Sequence, residues 1–204
     1  MSASGQTAHA GPGRVNWRRF AVIMVPATAL AGVLVALTAS SVLAVSFSIS
    51  GTPFTVTANS LKGQGFEQLT VLDRSVINDL PGNNNKIVLE DDAIRSATIS
   101  HLCLSVAVAG VTMIITAGDG STPATGSYLQ VDANRLSGNA AFSHINIGQD
   151  ASTVTEVPGI TGPAGGFAMQ ADTVSIDNLR EHAYATTAGS FTLPGFGLHF
   201  GGSC

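Results

Sequence analysis

Residues 20–45 form a run of 26 residues without a charged side chain, directly after Trp17, Arg18 and Arg19. No other feature restricts the fold of this chain so strongly. As a helix, the run would span roughly 39 Å at about 1.5 Å per residue, enough to cross a hydrocarbon core with some tilt. The arginines flank one end only. The positive-inside rule therefore puts the N-terminus in the cytoplasm and everything after the run outside. Trp17 suits the aromatic belt of a membrane interface, and Trp17, Arg18 and Arg19 are the expected interface residues. Pro26 lies near the start of the run, where a kink is tolerated. Residues 1–16, rich in Ser, Gly, Ala and Pro, read as a flexible cytoplasmic head.

Two readings of residues 17–45 stay open. A cleavable signal has an apolar core of about 7–15 residues and a small-residue site, for which Val42-Leu43-Ala44 would serve. The length of the run favours an uncleaved single-pass anchor. On the first reading the body is secreted after cleavage behind Ala44; on the second it stays at the cell membrane. The Arg18-Arg19 pair lacks the spacer expected of a twin-arginine signal. A buried core helix is the bland alternative, and the flanking arginines speak against it.

The charge changes sign after this segment. Residues 1–44 carry three arginines and no acid, whereas residues 45–204 carry six basic and thirteen acidic residues, a net −7. An acidic body repels phosphate backbones at long range, so nucleic acid is not an expected partner. Charged residues make up 11% of the chain, against roughly 25% in an ordinary soluble domain. This excludes a charge-rich disordered chain and a coiled coil.

From Val45 onward the apolar period is two. Val45-Ser46-Phe47-Ser48-Ile49-Ser50, Phe54-Thr55-Val56-Thr57, Lys86-Ile87-Val88-Leu89, Val111-Thr112-Met113-Ile114-Ile115 and Phe142-Ser143-His144-Ile145-Asn146-Ile147 alternate as half-buried strands do. Turn clusters separate them at Pro81-Gly82-Asn83-Asn84-Asn85, at Gly118-Asp119-Gly120-Ser121 and over residues 158–166. About ten strands are expected from such runs. Helical signals are weak, with one or two turns conceivable over residues 74–80.

Ala58-Asn59-Ser60-Leu61-Lys62-Gly63 matches Ala133-Asn134-Arg135-Leu136-Ser137-Gly138, and a degenerate copy starts at Ala171-Asp172-Thr173-Val174. The starts are separated by 75 and 38 residues, suggesting a repeated strand–turn–strand unit. Chance similarity of two short segments is the competing explanation. The expected architecture is an all-β extracytoplasmic domain over residues 46–204, a sandwich or a folded-over repeat sheet, preceded by one N-terminal helix.

The chain has two cysteines, Cys103 in a strand and Cys204 at the end of the sequence. An even count on an exported body suggests a disulfide between them. It would close a loop of about 100 residues, worth roughly 4–5 kcal/mol in the loop-entropy model. Two free thiols, with Cys103 simply buried, are the alternative.

No catalytic, cofactor or metal site is signalled. No serine has glycine at both −2 and +2, so no nucleophile elbow is present. The histidines His9, His101, His144, His182 and His199 show neither HxH nor HExxH spacing. His101 and His144 alternate with apolar neighbours and are expected on one side of a strand. Glu90-Asp91-Asp92 is the sole acidic run; it lacks the spaced ligands of a calcium loop and reads as a solvated turn. Neither a Walker-type nor a Rossmann-type glycine loop occurs, so no cofactor is expected.

His101-Leu102-Cys103-Leu104-Ser105-Val106, the FSHINIGQDAST stretch over residues 142–153, Gly162-Pro163-Ala164-Gly165, Gln170-Ala171-Asp172 and Ala185-Thr186-Thr187-Ala188-Gly189-Ser190-Phe191 occur in that order. Together they resemble an uncharacterised actinobacterial cell-surface family with one N-terminal hydrophobic segment and an exported β-rich body, often labelled cholesterol esterase. The resemblance covers nearly the whole chain after residue 18 and implies an envelope location, a single anchor and the disulfide.

The function expected from these features is that of a membrane-anchored, non-enzymatic envelope protein. Its β-body would bind a lipid, another apolar ligand or a membrane partner. A self-associating structural surface subunit is the first alternative, with a homo-oligomer as its partner. A lipid or sterol esterase, as the family label implies, is the second.

Overall fold

The computed structural model describes Met24, Ser48–Ile49, residues 52–75 and residues 86–204. Apart from Met24, the expected head and anchor, including Trp17, Arg18 and Arg19, lie outside the described residues, as does the turn at Pro81 to Asn85. Among the described residues no helix is long and apolar enough to cross a membrane. The chain divides into two compact units, Met1–Ala44 and Val45–Cys204.

The second unit is all-β, with ten strands among the described residues, as the alternating runs suggest. They are β1 (Ser48–Ile49), β2 (Phe54–Ser75), β3 (Lys86–Ser100), β4 (Leu102–Val108), β5 (Val111–Ala117), β6 (Ala124–Ser143), β7 (Asn146–Asp150), β8 (Phe167–Thr187), β9 (Ser190–Thr192) and β10 (Gly197–Phe200). A 3-10 turn at Ala151–Thr153 is capped by Asp150, whose Oδ1 accepts the Ser152 N–H at 2.9 Å.

All ten belong to one sheet, antiparallel except where β1 joins β2. Its register reduces them to four long lines. β3 and β4 form one line against β2: Ser60 stands opposite Ser100 and Thr57 opposite Cys103, with no slip across His101. β8 and β9 likewise form one line against β6, with Gln130 opposite Thr187 and Ser127 opposite Ser190. β5 and β6 follow one another beside β4 and β3, and β10 continues the last line onto β5. The fourth line then returns to the first, pairing residues 179–183 of β8 with residues 54–58 of β2. The sheet is thus folded over until it meets itself.

Such long strands can wrap a core only if their inward-facing set is reset as they coil. Each line carries a residue at positive φ that does this: Gly65 (65°), His101 (53°), Tyr128 (46°) and Asn178 (54°). In each case the inward-facing positions lie three apart around it rather than two: Gly63 and Phe66, Ile99 and Leu102, Gly126 and Leu129, Ile176 and Leu179 are all buried. A residue in this conformation flips the side-chain alternation and bends the strand; the pairing stays in register across Gly65, His101 and Tyr128 and shifts only beside Asn178. The core formed this way includes Val56, Leu61, Phe66, Ile94, Leu129 and Val174, with the Phe66 and Phe142 rings 5.4 Å apart. A second cluster sets Leu69 against Ala151, Val154 and Ala168, which fastens residues 151–168 over the sheet.

The Ala-Asn-x-Leu-x-Gly segments are not turns. Residues 58–63 lie inside β2 and residues 133–138 inside β6, two lines that are each flanked by β3 and β8. Their alanines are buried because backbones and side chains cross the narrow interior there: a Cβ on Gly63 would lie 2.6 Å from Ile94 Cγ2. Core, closure and disulfide are all internal to the second unit, so it is a self-sufficient folding unit.

Candidate functional site

Direct partners in neighbouring strands share a face, which lets the register define a surface. Phe54 of β2 stands opposite Val106, Val106 opposite Met113, and Met113 opposite Phe200. The next row on that face is Val56, Leu104, Ile115 and Leu198. Val108 and Val111 close the β4–β5 hairpin. Two complete rows across four strands are therefore apolar. Their exposure rises outward, from 9% at Val56 to 49% at Leu198 and 67% at Phe200. Residues 102–117 and 188–203 contain no Asp, Glu, Lys or Arg. Between Phe54, Leu104, Val106, Val108 and Tyr184 the face sinks into an open groove of about 430 Å³ that Thr52 also borders.

The interior of the folded sheet is nearly full. Its cavity measures about 70 Å³, well under the ~150 Å³ that holds a benzene in an apolar core. Its wall is apolar except for Asp92, Glu181 and Thr186. Gln68 Nε2 donates to Asp92 Oδ1 at 2.8 Å. Burial pushes the Asp92 carboxyl up to about 7, and Glu181, hydrogen-bonded to it, is raised well above its ordinary range by burial first and by the Asp92 charge second. Two carboxyls in apolar surroundings keep a proton between them.

The acidic run is therefore not a solvated turn. Glu90, Asp91 and Asp92 lie inside β3, with Asp91 and Asp92 buried. Asp91 faces Asp132 directly across β3 and β6 and accepts from Gln130 Nε2 at 3.1 Å. Burial raises Asp91 to about 6 and Asp132 to about 7. Glu67, fully buried, is raised to about 7 by burial, although its Oε1 accepts the Val157 N–H at 2.7 Å. Nothing in the sequence separated these acids from surface ones; only the strand assignment of residues 90–92 would have done so. No group of three or more His, Cys, Asp or Glu among the described residues is arranged to hold a metal ion.

Cys103 and Cys204 are joined in a disulfide. His101 and His144 do not sit within strands as expected. Each takes positive φ, His101 between β3 and β4 and His144 just beyond β6, and both are exposed. His144 Nδ1 meets Asp172 Oδ2 at 2.7 Å, and His182 Nδ1 meets Asn134 Oδ1 at 2.7 Å. Neither of these partners is a serine.

Residues 50–204 match the family of unknown function DUF6230. The chain belongs to DUF6230. The match spans β2 to β10, so the four-line fold described above is the fold of this DUF6230 member. No curated protein and no solved structure matches the chain.

Proposed function

We propose that the chain is a membrane-anchored, non-enzymatic envelope protein whose β-body holds a lipid acyl chain on the open apolar face. The observation that carries this reading is the pair of rows Phe54–Val106–Met113–Phe200 and Val56–Leu104–Ile115–Leu198. Exposed apolar surface of this continuity on a soluble domain marks an interaction site. The groove volume of about 430 Å³ falls in the range of small-ligand sites, whereas the interior cavity of about 70 Å³ falls far below it. The ligand therefore lies on the face and not inside the sheet. The sequence supplies the location: the 26-residue run ends seven residues before Thr52, and the arginines on its N-terminal side favour an outward body. Cleavage after Ala44 would release the same body.

Titration of residues 45–204 with cis-parinaric acid tests the reading. Saturable binding is expected, weakened at least tenfold by Val106→Asp, which sets a carboxylate in the groove. Absence of binding by the folded body overturns it.

Self-association is a second reading, favoured by one observation. β10 is an edge of the sheet, and Leu198 and Phe200 on it are exposed. Unprotected apolar edges pair with copies of themselves. Light scattering of the body decides: a dimer abolished by Phe200→Lys supports this reading, and a monomer at high concentration removes it.

A further inference from the structure

On the outer face of the sheet, three strands bring their polar residues into rows. Thr55 of β2 stands opposite His182 of β8, and His182 opposite Arg135 of β6. Thr57 stands opposite Arg180, and Arg180 opposite Ser137. A groove of about 510 Å³ runs between them. Register shifts in β6 around Ala133–Arg135 and Ser137–Asn139 shape its floor, and Ser137 Oγ donates to the Arg180 carbonyl at 3.0 Å.

The body has only six basic residues against thirteen acidic ones, and two of the six meet here. Arg135 and Arg180 lie on a diagonal of adjacent strands, where like charges repel. Among the described residues neither has a carboxylate within ion-pair distance; the ion pair formed there is His144–Asp172. Glu181 also borders the groove, but burial keeps its carboxyl well above the ordinary range, so it does not supply the missing negative charge. Two guanidinium groups without a counter-charge, converging on one concavity with a hydroxyl and an imidazole, form a receptor for a planar or tetrahedral oxyanion.

This groove adjoins the apolar one. Tyr184 lines the apolar groove, and its hydroxyl accepts the Asn134 Nδ2–H at 3.4 Å. Asn134 in turn lines the cationic groove and holds His182, whose ring stacks edge-on against Tyr184 at 5.9 Å. Phe54 and Thr55 alternate along β2, so the apolar slot and the arginine-lined pocket open on opposite faces of the sheet, and the Asn134–Tyr184 pair joins them around the end of β2.

We infer that the two grooves are one amphiphile site, in which Arg135 and Arg180 bind the phosphate headgroup of a lipid whose acyl chain lies along Phe54 and Val106. The inference rests on the acyl-chain reading above and adds the ligand class: an anionic phospholipid, not a neutral one. A lipid phosphate rather than a soluble anion is the fit because the pocket is joined to the apolar slot around the end of β2 and does not stand alone on the surface.

Calorimetric titration of residues 45–204 with oleoyl lysophosphatidic acid, with monooleoylglycerol and with inorganic phosphate, each below its aggregation limit, tests this. The first two differ only by the phosphate. Lysophosphatidic acid is expected to bind at least tenfold tighter than monooleoylglycerol, and Arg135→Gln/Arg180→Gln to abolish that preference. Equal affinities, or a preference that survives the double substitution, overturn the headgroup assignment and leave the acyl-chain reading standing. No binding of either lipid overturns both. Binding of inorganic phosphate alone makes the pocket a free-anion site and overturns the lipid assignment. Circular dichroism and the melting temperature of the double variant confirm that its fold is retained.

Discussion

Cys103 and Cys204 lie 101 residues apart in the chain, and their Cα atoms are 5.7 Å apart. The bond pins the segment after β10 to β4, the strand on the far side of β5. It holds together β4, β5 and β10, three of the four strands that present the apolar face. Loop entropy alone makes a bridge of this span worth roughly 4–5 kcal/mol. Cys103→Ser/Cys204→Ser is therefore expected to lower the melting temperature of the body by about 10 °C or more, at about 2–4 °C per kcal/mol for a domain of this size. It should also speed proteolysis within residues 195–204 before other sites. Scanning calorimetry and mapped limited proteolysis check both.

The buried acids make stability depend on pH in an uncommon direction. Glu67, Asp92 and Asp132 titrate at about 7 and Asp91 at about 6 in the folded chain, each raised first by burial. In the unfolded chain they titrate near 4. Between these limits the folded state holds more protons, so stability falls as pH rises. The contribution is complete below about pH 4 and is lost as pH climbs through about 6–7. The melting temperature should be several degrees higher at pH 5 than at pH 8, with the opposite trend contradicting the assignment.

Glu67 isolates one of these groups. Its Oε1 anchors the Val157 N–H, and thereby residues 151–168, to β2. Glu67→Gln keeps an acceptor and removes the proton, so it should flatten the pH dependence while retaining stability at pH 5. Glu67→Ala leaves a buried N–H unpaired and should cost about 1–3 kcal/mol. Hydrogen exchange at Val157 should quicken in the second variant and not in the first.

Gly63 tests how closely the sheet folds on itself. A methyl group there would meet Ile94 Cγ2 at 2.6 Å and Val174 Cγ1 at 2.9 Å. Gly63→Ala is expected to destabilise by about 1–3 kcal/mol through overpacking. An unchanged denaturation midpoint would show that β3 and β8 lie further from β2 than described.

The strands and the disulfide were legible because alternation and cysteine count are local signals. The closure of the sheet was not. It depends on residues three apart, such as Ile99 and Leu102, that break the two-residue period around His101. Read as sequence, these breaks look like ends of strands, and they made the Ala-Asn-x-Leu-x-Gly segments look like turns. The apolar face was hidden for another reason. Val106, Met113 and Phe200 are unremarkable singly and become a surface only through the register of β4, β5 and β10. The arginine pair is hidden in the same way, since Arg135 and Arg180 meet only through the pairing of β6 with β8. Asp91 and Asp92 misled because acidic runs are ordinarily solvated, and burial is a property of the fold rather than of the run.

The most direct measurement is lipid mass spectrometry of residues 45–204, expressed in an oxidising compartment and purified without detergent. The account predicts about one lipid per chain, lost on Val106→Asp with the fold intact. A folded, disulfide-bonded body that carries no lipid and takes up none when it is supplied would contradict the account.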